Sequence, residues 1–94
     1  MKVLWSASAI RHLHQVVEYI ADDTPRGAHA LRRKIFDTVE RVGTMPFSGR
    51  EGRVTETREA VVPGTANIVV YRVQEQQVEV IGIWHAAREW PGTF

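Results

Sequence analysis

The sequence contains no cysteine, and only Lys2 and Lys34 among its 12 basic residues are lysine. The first absence removes disulfides and thiolate metal sites. The second leaves arginine as the main cation, a planar group suited to bidentate and stacked contacts rather than diffuse point charge. Long apolar runs are missing as well, and none approaches the roughly eighteen residues that a membrane span requires. The N-terminal segment lacks the basic start and unbroken apolar stretch of a secretory signal, so the cytoplasm is the expected compartment, with no membrane partner. Also absent are a glycine-rich phosphate loop, a His-Glu-x-x-His pair and a serine-hydrolase elbow. His12 and His14 sit two apart on a predicted helix, pointing about 200° away from each other, and His29 has no companion. All three histidines are expected at the surface, and neither metal nor cofactor is expected.

What remains is a 94-residue chain, 44% hydrophobic and 24% charged, with a formal net charge of +1. That is the mixture of one globular domain, residues 1–94, with a small core and no room for a second lobe. The near-neutral total hides an asymmetry. From Thr24 to Arg58, the cations Arg26, Arg32, Arg33, Lys34, Arg41, Arg50, Arg53 and Arg58 outnumber Asp37, Glu40, Glu51 and Glu56. Such a segment is either a solvated face or a surface for an anionic partner.

Periodicity orders the elements. Val3-Leu4-Trp5 reads as a short strand ending at a Ser6 helix cap. Ile10, Leu13, Val17 and Ile20 then recur at helical spacing, and Asp22-Asp23, opposing the helix dipole, mark the end. Thr24 and Pro25 start a second helix, with Ala28, Leu31, Ile35, Val39 and Val42 on one side and Gly43 and Pro46 at its close. The two helices should form an antiparallel hairpin. Residues 46–53 read as a loop, followed by strands over 55–62, 67–73 and 78–85 joined as an antiparallel meander. The order β-α-α-β-β-β describes an α+β domain, an antiparallel sheet with the helix hairpin packed on one face.

The strands are apolar on both sides. Ile68 and Val70 oppose Val69, Tyr71 and Val73, while Val78 and Val80 oppose Ile81 and Ile83. Two helices cover one face, so the other needs a protein partner, or else the C-terminal tail or the loop around Phe47. The tail, Trp84-His85-Ala86-Ala87-Arg88-Glu89-Trp90-Pro91, concentrates tryptophan and arginine, the residue types most frequent at interface hot spots. A metal-independent nuclease would need a general base, a general acid and cations for the developing phosphorane charge, roles that Arg58, Arg72, His85 and Arg88 could fill if they converge.

Over almost its whole length the chain resembles the RelE/ParE family of bacterial toxins from type II toxin–antitoxin operons. The resemblance rests on Tyr19-Ile20-Ala21 with the Pro25 helix start, Pro46-Phe47-Ser48-Gly49-Arg50 with Thr57-Arg58-Glu59, Ile68-Val69-Val70-Tyr71-Arg72-Val73, and His85-Ala86-Ala87-Arg88-Glu89-Trp90-Pro91. It implies one of two activities that a shared fold does not separate: cutting of mRNA in the ribosomal A site, or poisoning of DNA gyrase. Ribosome-dependent members typically carry an arginine where this chain has Ile68, and a basic or tyrosine residue where it has Ala86 and Ala87. The resemblance is therefore to the ParE branch. It implies a gyrase inhibitor rather than an enzyme, neutralised by a cognate antitoxin from the same operon, in a toxin–antitoxin hetero-oligomer. His85 and Arg58 keep the ribosome-dependent endoribonuclease as the alternative, and a nontoxic binding module of the same fold is a third reading. Expected target contacts are Arg50, Arg53, Arg58, Trp84, His85, Arg88 and Trp90. The antitoxin is expected over the hairpin and the open sheet face, at Leu13, Val17, Ile20, Leu31, Ile35, Val69, Tyr71, Ile81 and Ile83.

Overall fold

Two hydroxyls set the helices in a computed structural model that describes residues 1–94. Ser6 is extended, and its Oγ accepts the Ala9 N–H at 3.0 Å, starting α1 (Ala7–Ala21). The Oγ1 of Thr24 accepts the Gly27 N–H at 3.1 Å, and Pro25 takes the first position of α2 (Pro25–Thr44). Only Asp22, Asp23 and Thr24 separate the helices, which pack as the expected hairpin. Gly43 lies inside α2 rather than just past its end. A Cβ there would approach Val3 Cγ2 to 2.8 Å, so this glycine lets the helix press against the first strand, and Pro46 makes the actual break.

The strands are β1 (Lys2–Trp5), β2 (Arg50–Glu51), β3 (Arg58–Val61), β4 (Asn67–Gln74) and β5 (Gln77–His85), arranged β1-β5-β4-β3-β2. The β3–β4–β5 meander is antiparallel, as expected. β1, however, runs parallel to β5, with Val3 opposite Val78 and Trp5 opposite Val80, so the sheet is mixed. A pairing between the two ends of the chain leaves no local trace in the sequence. β2 falls in a stretch that reads as loop; it adds a fifth strand by placing Arg50 opposite Glu59. β3 begins at Arg58 because the preceding residues form a turn, in which Thr57 Oγ1 donates to the Val54 carbonyl at 2.6 Å and Glu56 is left-handed at φ 63°.

The main core lies between the helices and one sheet face: Leu13, Leu31, Ile35, Val39 and Val42 meet Val69, Tyr71, Val78, Val80 and Ile83. This placement corrects the expected antitoxin surface. Leu13, Leu31, Ile35, Val69, Tyr71 and Ile83 are buried in that core, and Val17 and Ile20 pack against its margin, so a partner reaches them only by opening the molecule. The α1 stripe is also rotated from the expected one, since Ala9 is fully buried whereas Ile10 is 45% exposed.

The second face is closed by the chain itself. A bulge in the β4–β5 register at Val70/Tyr71 turns Ile81 away from Ile83 and onto this face beside Ile68 and Val70. Trp84, Trp90 and Phe94 cover that cluster, so the tail, and not a partner, is what shields Ile81. Gly82 makes the seat, because a Cβ there would lie 2.7 Å from Phe94 Cε1. The tail is held by its own tryptophans: Trp84 Nε1 donates to the Glu89 carbonyl at 3.1 Å and Trp90 Nε1 to the Ala86 carbonyl at 3.3 Å. No helix is long and apolar enough to cross a membrane.

The two covers can be tested separately. Ile35→Ala, which empties a fully buried site, is expected to destabilise the protein by about 2–5 kcal/mol in urea unfolding. Trp90→Ala combined with Phe94→Ala should lower Tm by roughly 8–16 °C, corresponding to about 2 kcal/mol in a domain this small, and raise binding of an apolar dye to the native state. Unchanged dye binding would show that the tail does not shield the second face.

Candidate functional site

Most of the expected contact arginines are engaged inside the molecule. The Glu59 side chain, 1% exposed, sits on the second face between two of them. Arg50 donates from Nε at 3.1 Å and Nη2 at 2.9 Å to Oε1. Arg53 donates its backbone N–H at 2.9 Å and Nε at 3.1 Å to Oε2, and Nη2 at 3.2 Å to Oε1. Burial by itself would raise the carboxyl pKa, but the Arg53 amide, the Arg53 and Arg50 guanidinium groups and the Arg53 charge together hold it below the usual range. The Arg53 guanidinium carbon also lies 3.8 Å from the centroid of the Trp90 ring, which ties this cluster to the tail.

Arg58 works in the same way on the loop before β2. Its Nη1 donates to the Gly49 carbonyl at 2.8 Å, and its guanidinium carbon lies 5.0 Å from the Phe47 centroid. Tyr71 reaches the same loop, donating its hydroxyl proton to the Pro46 carbonyl at 2.8 Å and accepting the Gly49 N–H at 3.1 Å. Burial pushes the phenol pKa up, against the opposing influence of the Gly49 N–H and the Arg58 charge. A side chain at residue 49 would collide with the Tyr71 hydroxyl, so glycine is required for this approach.

The four groups considered for nuclease chemistry do not meet. Arg58 and Arg72 line a depression beside Phe47, and Arg72 forms an ion pair at 3.4 Å with Glu79. His85 and Arg88 line a different groove at the far end of β5. Arg58 is opposite Tyr71 and His85 is opposite Asn67. The two registers are therefore four residues apart along β4, roughly 13 Å at about 3.3 Å per residue. No group of three histidine, aspartate or glutamate side chains is placed to hold a metal ion.

The groove at the end of β5 is the larger site, about 610 Å³, between α1 and the β4–β5 ladder. β1 stops opposite Val80, which leaves the outer edge of β5 without a strand neighbour beyond that point. His12 on α1 fills the gap: its Nδ1 accepts the Ile83 N–H at 3.3 Å, and its ring meets Trp84 edge-on at 5.2 Å and Phe94 at 6.3 Å. His12 is thus half-buried and structural rather than a surface residue, whereas His14 and His29 are exposed as expected. Burial lowers its pKa first, and the charges of Arg11 and Arg88 lower it further. Arg88 is stacked on Trp84 with its guanidinium carbon 4.1 Å from the ring centroid. His85 is exposed and uses Nδ1 to accept the Ala87 N–H at 3.0 Å. Asn67, 8% exposed, contributes a buried Oδ1 that accepts no hydrogen bond. The sequence pattern offered no signal for His12 or Asn67, because their surroundings are made by residues far along the chain.

Comparison with known proteins supplies the family. The model of the ParE toxin of type II toxin–antitoxin systems, parDE, matches residues 3–90. A protein of Sinorhizobium fredii described as "Putative toxin Y4kP" is 33% identical over 90 residues, which cover 96% of this chain and 93% of the relative. Among solved structures, a chain of a chromosomal ParDE toxin–antitoxin system from P. aeruginosa is similar with a TM-score of 0.79 at 18% identity, covering 90% of this chain and 95% of that one. A YoeB/ParE toxin from Agrobacterium tumefaciens has a TM-score of 0.57 at 22% identity over 90% and 98% of the two chains. At those identities the solved structures establish the fold.

The titrating groups give separable pH signatures. Glu59 has a folded pKa below its unfolded value, so its contribution is full above the carboxylate range and is lost as pH falls below about 4. His12 is also depressed, but as a base: the unfolded chain binds the proton more tightly, and stability falls as pH drops below about 6.5. In urea unfolding between pH 3 and 8, Glu59→Gln should cost roughly 1–3 kcal/mol at neutral pH and flatten the acid limb. His12→Asn should flatten the limb near pH 6 alone. Identical pH profiles for wild type and both variants would refute these roles.

Proposed function

The chain belongs to the family of ParE toxins of type II toxin–antitoxin systems, and on that premise we propose that it inhibits growth by binding and poisoning DNA gyrase. In this reading the toxin traps the cleaved-DNA complex of gyrase and is neutralised by a cognate antitoxin from its own operon. The observation that carries the choice of inhibition over catalysis is the separation of Arg58 and Arg72 from His85 and Arg88. Phosphoryl chemistry without a metal needs acid, base and cations within reach of one phosphate. Here Arg58 is hydrogen-bonded to the loop carbonyls, and Arg50 and Arg53 are shared with Glu59. What remains at the surface suits recognition: exposed Arg88 and His85 at the tail, and Arg26, Arg32, Arg33, Lys34 and Arg41 along the exposed side of α2. Trp84 and Trp90 contribute by holding the tail in place.

Adding the purified toxin to a gyrase supercoiling reaction should yield linearised plasmid, while ribosomes programmed with a defined mRNA should leave the message intact. Codon-positioned cuts in the message with normal supercoiling would overturn the gyrase reading in favour of a ribosome-dependent endoribonuclease. No effect in either reaction would favour a nontoxic binding module.

A further inference from the structure

The outer edge of β3 is only partly covered. β2 pairs with it at Arg58 and Glu59, and if that register continued, Ser48 would stand opposite Val61. Ser48 turns away instead, with its N–H and its Oγ both donating to the Met45 carbonyl, at 3.1 and 2.6 Å. On the inner side, the Val62 N–H donates to the Asn67 carbonyl at 2.9 Å. Successive residues of an antiparallel strand point their backbone groups to opposite sides, so Val61 directs its N–H and C=O outward, where no strand receives them. Beside this edge a groove of about 340 Å³ runs between β3 and the end of α2. Met45 and Val61, 54% and 46% exposed, line it together with Arg41 and Arg50. Glu59 lines it as well, but its carboxylate is taken by Arg50 and Arg53. Lys34 stands at the far end, its Nζ 3.5 Å from where a Cβ on Gly64 would lie. The ion pairs of the molecule involve Arg50, Arg53 and Arg72. Lys34 and Arg41 are in none, although Asp37 and Glu40 are also exposed on α2.

We propose that this edge receives an extended, acidic segment of gyrase, which adds to β3 as a short strand. The segment exchanges backbone hydrogen bonds with Val61, rests an apolar side chain against Met45 and Val61, and turns carboxylates toward Arg41 and Lys34. Pro63, the next residue whose backbone faces outward, has no N–H, so the pairing is short and the side chains supply the specificity. The inference rests on the gyrase reading and gives the target a place of contact. Lys34 and Arg41 belong to the side of α2 already offered to that target. Charge decides against a second copy of this chain, because a two-fold pairing about Val61 would bring the Arg41 and Lys34 charges of both copies together. An outward N–H and C=O beside an apolar groove favours a peptide over a nucleic acid, whose phosphates offer no matching strand.

The toxin concentration that gives half-maximal plasmid linearisation in the gyrase reaction tests this, with calorimetric titration of the purified antitoxin encoded beside it as a second readout. Val61→Pro deletes an outward N–H at a position where an edge strand tolerates proline, and should raise that concentration at least about tenfold. Arg41→Glu should do the same, the scale of an interface hot spot. Lys2→Glu, on the opposite edge of the sheet, should change it less than about twofold, and antitoxin affinity should stay within about twofold throughout. Thermal melts check that each variant is folded. If Val61→Pro is not, Val61→Asp replaces it with the same expectation, since it keeps the N–H but sets a carboxylate against an acidic segment. Linearisation by wild type with both variants within about twofold of it would overturn the edge assignment alone. A loss in Arg41→Glu only would mean a charge contact without strand pairing and would overturn it too. Absence of linearisation by wild type would overturn the gyrase reading and the assignment with it. Weakened antitoxin binding in both variants, with linearisation unchanged, would give the edge to the antitoxin instead. A wild-type dimer in sedimentation that Val61→Pro dissociates, again with linearisation unchanged, would give it to a second copy.

Discussion

Strands β4 and β5 are apolar on both faces, and this sets a constraint that two helices cannot meet. Val69, Tyr71, Val78, Val80 and Ile83 are covered by the hairpin, but Ile68, Val70 and Ile81 face the other way. Both helices of the structure belong to the hairpin on the first face. The chain uses its last eleven residues instead, packing Trp84, Trp90 and Phe94 over the cluster. The three rings meet one another at tilted or edge-to-face angles, the arrangement that aromatic quadrupoles favour. Gly82 and the bulge beside it belong to the same solution, since they create the hollow that Phe94 fills.

A small core covered by a tail needs lateral ties, and arginine supplies them. Arg53 joins the buried Glu59 carboxylate to the Trp90 ring, Arg88 lies on Trp84, and Arg58 grips the loop that Tyr71 also holds. A lysine in these positions would keep the charge but lose both the bidentate geometry and the stacking. The preference for arginine is therefore largely architectural. It also bears on function, because guanidinium groups already donating to carboxylates and carbonyls are poor candidates for stabilising a reacting phosphate.

The free edge of β5 joins architecture to recognition. β1 pairs with only the first part of that strand, and past Val80 the neighbour is α1. His12 satisfies one exposed backbone donor there, but helix and strand do not close fully against each other. The resulting groove brings together residues from α1, β4, β5 and the tail, the kind of junction at which binding sites concentrate.

The helices, their caps, the antiparallel meander and the double-sided apolar strands were all legible in the sequence, because each depends on residues within a few positions of one another. Ser6, Thr24 and Pro25 act locally, and so does the alternation of Ile68 to Val73. The family resemblance belongs on the same side, since it lies in the order of short motifs. Tertiary structure alone decided the rest. It placed β1 parallel beside β5, put Leu13, Ile35 and Tyr71 in the core rather than on a docking surface, and parted Arg58 and Arg72 from His85 and Arg88. Each of those outcomes depends on which distant segments meet: a side chain's type and spacing record what it can bond to, while only the fold determines what comes within reach.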